Sequence, residues 1–101
     1  MKVEWSNPAV RAVQNIRSYI AKDSAVYADA FAQRLIDAVW LLRDFPRSGR
    51  VVPEADDEAI REIVVAPYRI IYRVRKSQIE IVNVVHGGRD LSQISPKPWE
   101  K

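Results

Sequence analysis

The chain has no cysteine and a single histidine. Without cysteine there can be no disulfide and no thiolate metal site, and the composition suits a reducing compartment. One histidine and no carboxylate cluster speak against a protein-built metal centre, so neither metal nor cofactor is expected. Long apolar runs are missing as well. None approaches the roughly 20 residues that span a bilayer, so no membrane association is expected. The opening Met1-Lys2-Val3-Glu4-Trp5 leads into no apolar h-region, which argues against a secretory signal. These absences together predict a soluble, cytoplasmic protein. Nothing repeats internally and nothing is low in complexity.

What is present is a globular composition. Hydrophobic residues make up 48% of the 101 residues and charged residues 29%, which predicts one folded domain over 1–101. A chain this short buries a modest core, so function belongs on a surface or in a shallow groove, not in a deep pocket. The net charge of +3 tilts it mildly toward anionic partners.

Lys2 to Trp5 reads as a short strand. Ser6-Asn7-Pro8 reads as a helix start, with Asn7 as N-cap and Pro8 at the first helical position. Val10, Val13, Ile16 and Ile20 follow at helical spacing. Ala21-Lys22-Asp23 interrupts the pattern, and Asp23 or Ser24 can cap a second helix. The stripe of that helix is Ala28, Phe31, Leu35, Val39 and Leu42, and Phe45-Pro46 ends it. The short connection predicts an antiparallel helix hairpin. Arg47 to Glu58 reads as a polar loop. Ile60 to Ala66, Tyr68 to Arg75 and Ile79 to Val85 are rich in Ile, Val and Tyr and read as three strands. The tail, 92–101, has two prolines and reads as irregular. The fold class is therefore α+β, in the order β-αα-βββ, with the helix hairpin on one face of a small, mostly antiparallel sheet.

A hairpin around Lys76-Ser77 pairs Val74 with Ile79, Arg73 with Glu80, Tyr72 with Ile81, Ile71 with Val82 and Arg69 with Val84. Alternation then sorts the side chains. Tyr68, Ile70, Tyr72, Val74, Ile79, Ile81 and Val85, with Asn83, face the helices. Arg69, Ile71, Arg73 and Arg75 share the other face with Glu80, Val82, Val84 and His86. An apolar strip between cations suits a protein partner. The alternative is that the loop or the tail folds over the strip, with Arg73 and Glu80 an ordinary cross-strand pair.

The same residues resemble a known family. Phe45-Pro46-Arg47-Ser48-Gly49-Arg50 with Pro53-Glu54, then Arg61-Glu62-Ile63, Tyr68-Arg69-Ile70-Ile71-Tyr72-Arg73-Val74 and His86-Gly87-Gly88-Arg89-Asp90-Leu91, in that order, look like the RelE/ParE superfamily. These are toxins of type II toxin–antitoxin systems, often described as plasmid stabilisation proteins. The resemblance implies a cognate antitoxin that wraps the toxin in a heteromeric complex. Arg69, Ile71, Arg73, Arg75, Val82 and Val84 are the face it would suit for antitoxin or target.

The resemblance leaves the target open, and with it whether the chain is an enzyme. ParE-like members inhibit DNA gyrase. RelE-like members cut mRNA on the ribosome without a metal. For the second chemistry the resemblance implies Arg69 on the scissile phosphate, Arg89 as a second cation and Glu54 as base, and His86 has the side chain for acid or base work. Against it, Ile60 and Glu62 stand where RelE-like members carry two lysines, and Tyr72 is the last tyrosine. The His-x-x-Arg-Asp-Leu ending is more ParE-like. The expected function is a growth-arresting toxin directed at gyrase. A ribosome-dependent endoribonuclease, or a non-toxic chain that only binds antitoxin, is the alternative.

Overall fold

In the computed structural model, residues 1–93 and 95–100 are described. The elements run β1 (Lys2–Trp5), α1 (Asn7–Ala21), α2 (Ala25–Trp40), a 3₁₀ turn (Leu41–Arg43), β2 (Arg50–Val51), β3 (Ile60–Val65), β4 (Tyr68–Val74), β5 (Gln78–His86) and a second 3₁₀ turn (Leu91–Gln93). The five strands form one sheet in the order β1-β5-β4-β3-β2. β1 lies parallel to β5, and the remaining pairs are antiparallel. The α+β class and the helix hairpin on the sheet are as the sequence predicts. β2 lies inside the segment that reads as a loop.

Ser6, not Asn7, caps α1. Its Oγ accepts from the Ala9 amide at 3.2 Å and donates to the Val82 carbonyl at 2.8 Å. One hydroxyl therefore meets an orphan amide of the first turn and fixes the helix start to β5. Ser24 caps α2 by accepting from the Tyr27 amide. The α2 stripe is buried at every expected position: Ala28, Phe31, Leu35, Val39 and Leu42. The α-helix stops at Trp40 rather than at Phe45-Pro46, and the 3₁₀ turn carries Leu42 into the core. On α1, Ala9 and Ile16 are buried, whereas Val10 is turned outward.

The β4–β5 register holds as expected from Val74↔Ile79 to Tyr72↔Ile81 and then slips by one residue. Val82 is the extra residue of a β-bulge, so Ile71 pairs with Asn83, Ile70 with Val84, Arg69 with Val85 and Tyr68 with His86. Beyond the bulge the assignment of faces reverses. Val84, expected beside the arginines, joins Ile70, Tyr72, Ile79 and Ile81 in the core under the helices. Val85, expected under the helices, lies on the other face. His86 moves to the helix side and sets its ring edge-on against Tyr68, 5.7 Å between centroids.

The second face is not open. Ile71, Val82 and Val85 form a second core with Val52, Ile60 and Leu91, with Ala55 and Trp99 packed against it. The loop before β3 and the tail fold over the strip. The apolar residues expected to meet a partner are thus covered by the chain itself: Ile71 is fully buried and Val82 nearly so.

Gly49 fits closely against Tyr72 of the helix-side core. Its amide donates to the Tyr72 hydroxyl at 3.0 Å, and a Cβ there would lie 2.5 Å from the Glu62 carbonyl and 2.6 Å from the Tyr72 hydroxyl. Tyr72→Phe keeps the ring but leaves this buried amide without its acceptor. A loss of about 1–3 kcal/mol in chemical denaturation is expected; wild-type stability would show that the amide finds another partner.

The Arg69 cluster and the family

The alternation of two paired strands builds the candidate site. Glu62 on β3 and Arg69 on β4 sit on the same face, one diagonal step apart, since Glu62 pairs with Ile71 and Arg69 with Val64. Both side chains are almost wholly buried. Arg69 Nε donates to Glu62 Oε1 at 2.7 Å. Its Nη1 and Nη2 donate to the two oxygens of Glu54 at 3.0 and 2.9 Å, a bidentate pair. From the opposite side, Arg50 Nε donates to Glu62 Oε2. Two guanidinium groups and two carboxylates alternate in one chain of contacts whose formal charges cancel.

This arrangement answers the desolvation problem that a lone buried arginine would create. Glu54 first, and then Glu62, raise the Arg69 guanidinium further above its ordinary value, against the effect of burial. In return, the Arg69 hydrogen bonds pull the Glu54 carboxyl from 4.5 down to about 2, against its partial desolvation. Glu54 therefore binds its proton less readily in the folded chain than in the unfolded one. The stability it contributes is complete above about pH 4.5 and is lost as the pH falls toward 2. Water reaches part of the pair, so the amount is on the order of 1–2 kcal/mol. Denaturation midpoints between pH 6 and pH 2 should fall for the wild type and fall less for Glu54→Gln, to about the extent of this term.

In this structure the members of the cluster are engaged with one another. Arg69 directs Nε and both terminal nitrogens at carboxylates. Glu54 has both oxygens on Arg69, and a carboxyl with a pKa of about 2 is a poor proton acceptor near neutrality. His86 lies on the opposite face, and its Nδ1 accepts from the Gly88 amide at 3.1 Å. Arg89 is exposed on the turn after β5. Of the four residues, the side chains of Glu54 and Arg69 pair with each other, while His86 and Arg89 share a main-chain hydrogen bond in the turn after β5.

The arginine face is reordered in the same way. Arg75 pairs with Glu80 at 3.3 Å. Arg73 donates to the Trp99 carbonyl in the tail. Glu62 and Arg50 stand in the quoted motifs but were given no role in the site. The usable signal was a carboxylate in the inward phase of β3, one diagonal from an arginine in the inward phase of β4.

An apolar depression lies elsewhere. Trp5, Val10, Val13, Gln14 and Ile36 line a groove of about 250 Å³ between the helix hairpin and β1. Ile36, and beyond it Trp40 and Leu41, extend the exposed apolar surface along α2. No helix among the described residues is long and apolar enough to cross a membrane.

Comparison with known proteins agrees with these features. A family model described as the ParE toxin of the type II toxin–antitoxin system parDE matches residues 3–91. The chain is 33% identical to "Putative toxin Y4kP" of Sinorhizobium fredii, over 92% of its own length and 95% of that protein. It is 34% identical to "Toxin RelE2" of Caulobacter vibrioides, over 87% of its own length and 97% of that protein. Among solved structures, a chain of the chromosomal ParDE system from P. aeruginosa shares the fold, with a TM-score of 0.72 at 19% identity, covering 85% of this chain and 95% of that one. The order of elements, the motif-bearing segments and these matches converge: the chain belongs to the ParE toxin family, within the RelE/ParE superfamily of type II toxin–antitoxin toxins.

Proposed function

We propose that this toxin acts in the cytoplasm by binding a protein target, DNA gyrase, and that it does not cut RNA. The observation that carries this reading is the closure of the Arg69 cluster. Metal-free cleavage through a 2′-hydroxyl needs a proton acceptor and cations free to take up charge on the phosphate. Here the central cation is engaged by Glu54 and Glu62, and the histidine is on the other side of the sheet. Surface binding asks for neither.

The cognate antitoxin is the second partner in this proposal. With Ile71 and Val82 covered, the exposed apolar groove beside Trp5, Val10 and Ile36 is the better seat for its amphipathic segment.

Two assays on the purified chain and on induced cells separate the possibilities. Inhibition of gyrase supercoiling, with no new mRNA 5′ ends on primer extension, is the expected outcome. Discrete cuts in translated mRNA, with supercoiling unaffected, would establish the nuclease alternative. Induction without growth arrest would leave only an antitoxin-binding module.

A further inference from the structure

Val10, Ile36, Trp40, Leu41 and Phe45 keep 39–61% of their surface exposed. They are neighbours. Val10 and Ile36 share the walls of the groove with Trp5, Val13 and Gln14. Trp40 stands one turn beyond Ile36 on the same face of α2. In the 3₁₀ turn that follows, the Phe45 amide donates to the Leu41 carbonyl. Large aromatic side chains offer about 150–250 Å² each and aliphatic ones somewhat less, so these five leave on the order of 500 Å² of apolar surface to solvent. A patch of that size on so small a chain marks an interaction site.

The patch carries both halves of a contact. The groove of about 250 Å³ is lined by no charged side chain. An apolar cavity of about 150 Å³ takes benzene, so this groove has room for an indole. An indole stands beside it, outside the groove of its own chain. The Arg43 guanidinium lies 3.5 Å over the Trp40 ring. That stack holds the ring before any partner arrives, which lowers the entropic cost of using it. Tryptophan and arginine are also the side chains enriched where binding energy concentrates. A projecting side chain and an open hole, one helical turn apart on one face, suit a two-fold contact in which each copy gives to the other what it receives.

We propose that the free chain pairs with a second copy of itself through this face, Trp40 of each copy entering the groove beside Trp5, Val10 and Ile36 of the other. Two copies together cover about 1,000 Å² of apolar surface, the size at which a specific interface begins, before any polar rim is counted. Gln14, the polar member of the groove, offers its amide oxygen to the guanidinium that arrives with the indole. The groove is also the seat given above to the antitoxin segment. The two occupants therefore exclude each other, and pairing belongs to the chain without antitoxin. It needs only the indole and the groove, whatever else binds there.

Sedimentation velocity on the purified chain, from about 1 to 100 μM, should show the mass rising from 11.6 kDa to twice that value. Trp40→Ala removes the indole, and Val10→Glu puts a charge in the groove. Each should raise the dissociation constant at least about tenfold. Tyr27→Ala, exposed at the other end of α2, should leave it unchanged. Mixing the first two variants should recover pairing in part. One keeps an intact groove and the other an intact indole, so the mixed pair retains one of the two contacts and associates more tightly than either variant with itself. Thermal melts establish that the variants remain folded; if Val10→Glu does not, Gln14→Arg blocks the same groove. A chain that stays at 11.6 kDa throughout, or a dimer that neither variant weakens, overturns the inference. So do two weakened variants that fail to recover on mixing.

Discussion

Ile70→Asp is expected to leave no folded protein. Ile70 is fully buried in the core between sheet and helices, beside Phe31, Tyr72, Ile81 and Val84. Aspartate there loses the apolar burial of the isoleucine and places a carboxylate among hydrocarbon with no cation to meet it. Protonation removes the charge but not the unmet polar atoms. The combined cost exceeds about 5 kcal/mol, comparable to the whole stability of a chain this size. Circular dichroism and a dispersed NMR spectrum check it. A cooperatively folded Ile70→Asp variant would mean that Ile70 does not lie in this core.

Arg69→Ala carries the second-largest effect, and it acts through stability. The substitution takes the shared partner from two carboxylates at once. Glu54 can turn to solvent, but Glu62 is buried and keeps only Arg50. Breaking a buried ion pair from one side costs about 3–5 kcal/mol, because the remaining charge stays desolvated. Denaturant titration should show this loss, whereas Arg89→Ala, at an exposed position, should change stability by less than about 0.5 kcal/mol. Wild-type stability for Arg69→Ala would show that the cluster is not part of the framework. Loss of toxicity in Arg69→Ala is therefore not, by itself, evidence of catalysis: an unstable chain is inactive whatever its chemistry.

The helix hairpin is legible from the amino acids because one period is sustained over several turns. Ala28, Phe31, Leu35, Val39 and Leu42 mark a single stripe, and all five are buried. The β-bulge is not legible for the opposite reason. Ile81-Val82-Asn83-Val84-Val85 lies in a strand buried on both faces, so nearly every position is apolar and alternation cannot locate an extra residue. One undetected insertion then moves Val84, Val85 and His86 to the wrong sides. β2 is two residues long and exists through its pairing with β3, so no local pattern could announce it. The closure of the second face depends on the path of two irregular segments, which bring Val52, Leu91 and Trp99 over Ile71.

Glu54 and Arg69 were paired by resemblance as base and phosphate ligand. The fold does place them in contact, as a bidentate ion pair. Glu62, buried beside them, gives Arg69 a second carboxylate.

The most direct measurement replaces the cluster without leaving an orphan charge. In Glu54→Gln, Glu62→Leu, Arg69→Met, the buried charges go together, and apolar side chains of similar volume take the place of the inner pair. Such exchanges are often neutral or stabilising. After melting curves confirm the fold, the triple variant is assayed for inhibition of gyrase supercoiling beside the wild type. Retained inhibition at equal concentration is the result predicted for a toxin that works by surface contact. A folded triple variant that has lost its inhibition, or a wild type whose mRNA cleavage disappears with these three side chains, would contradict the account.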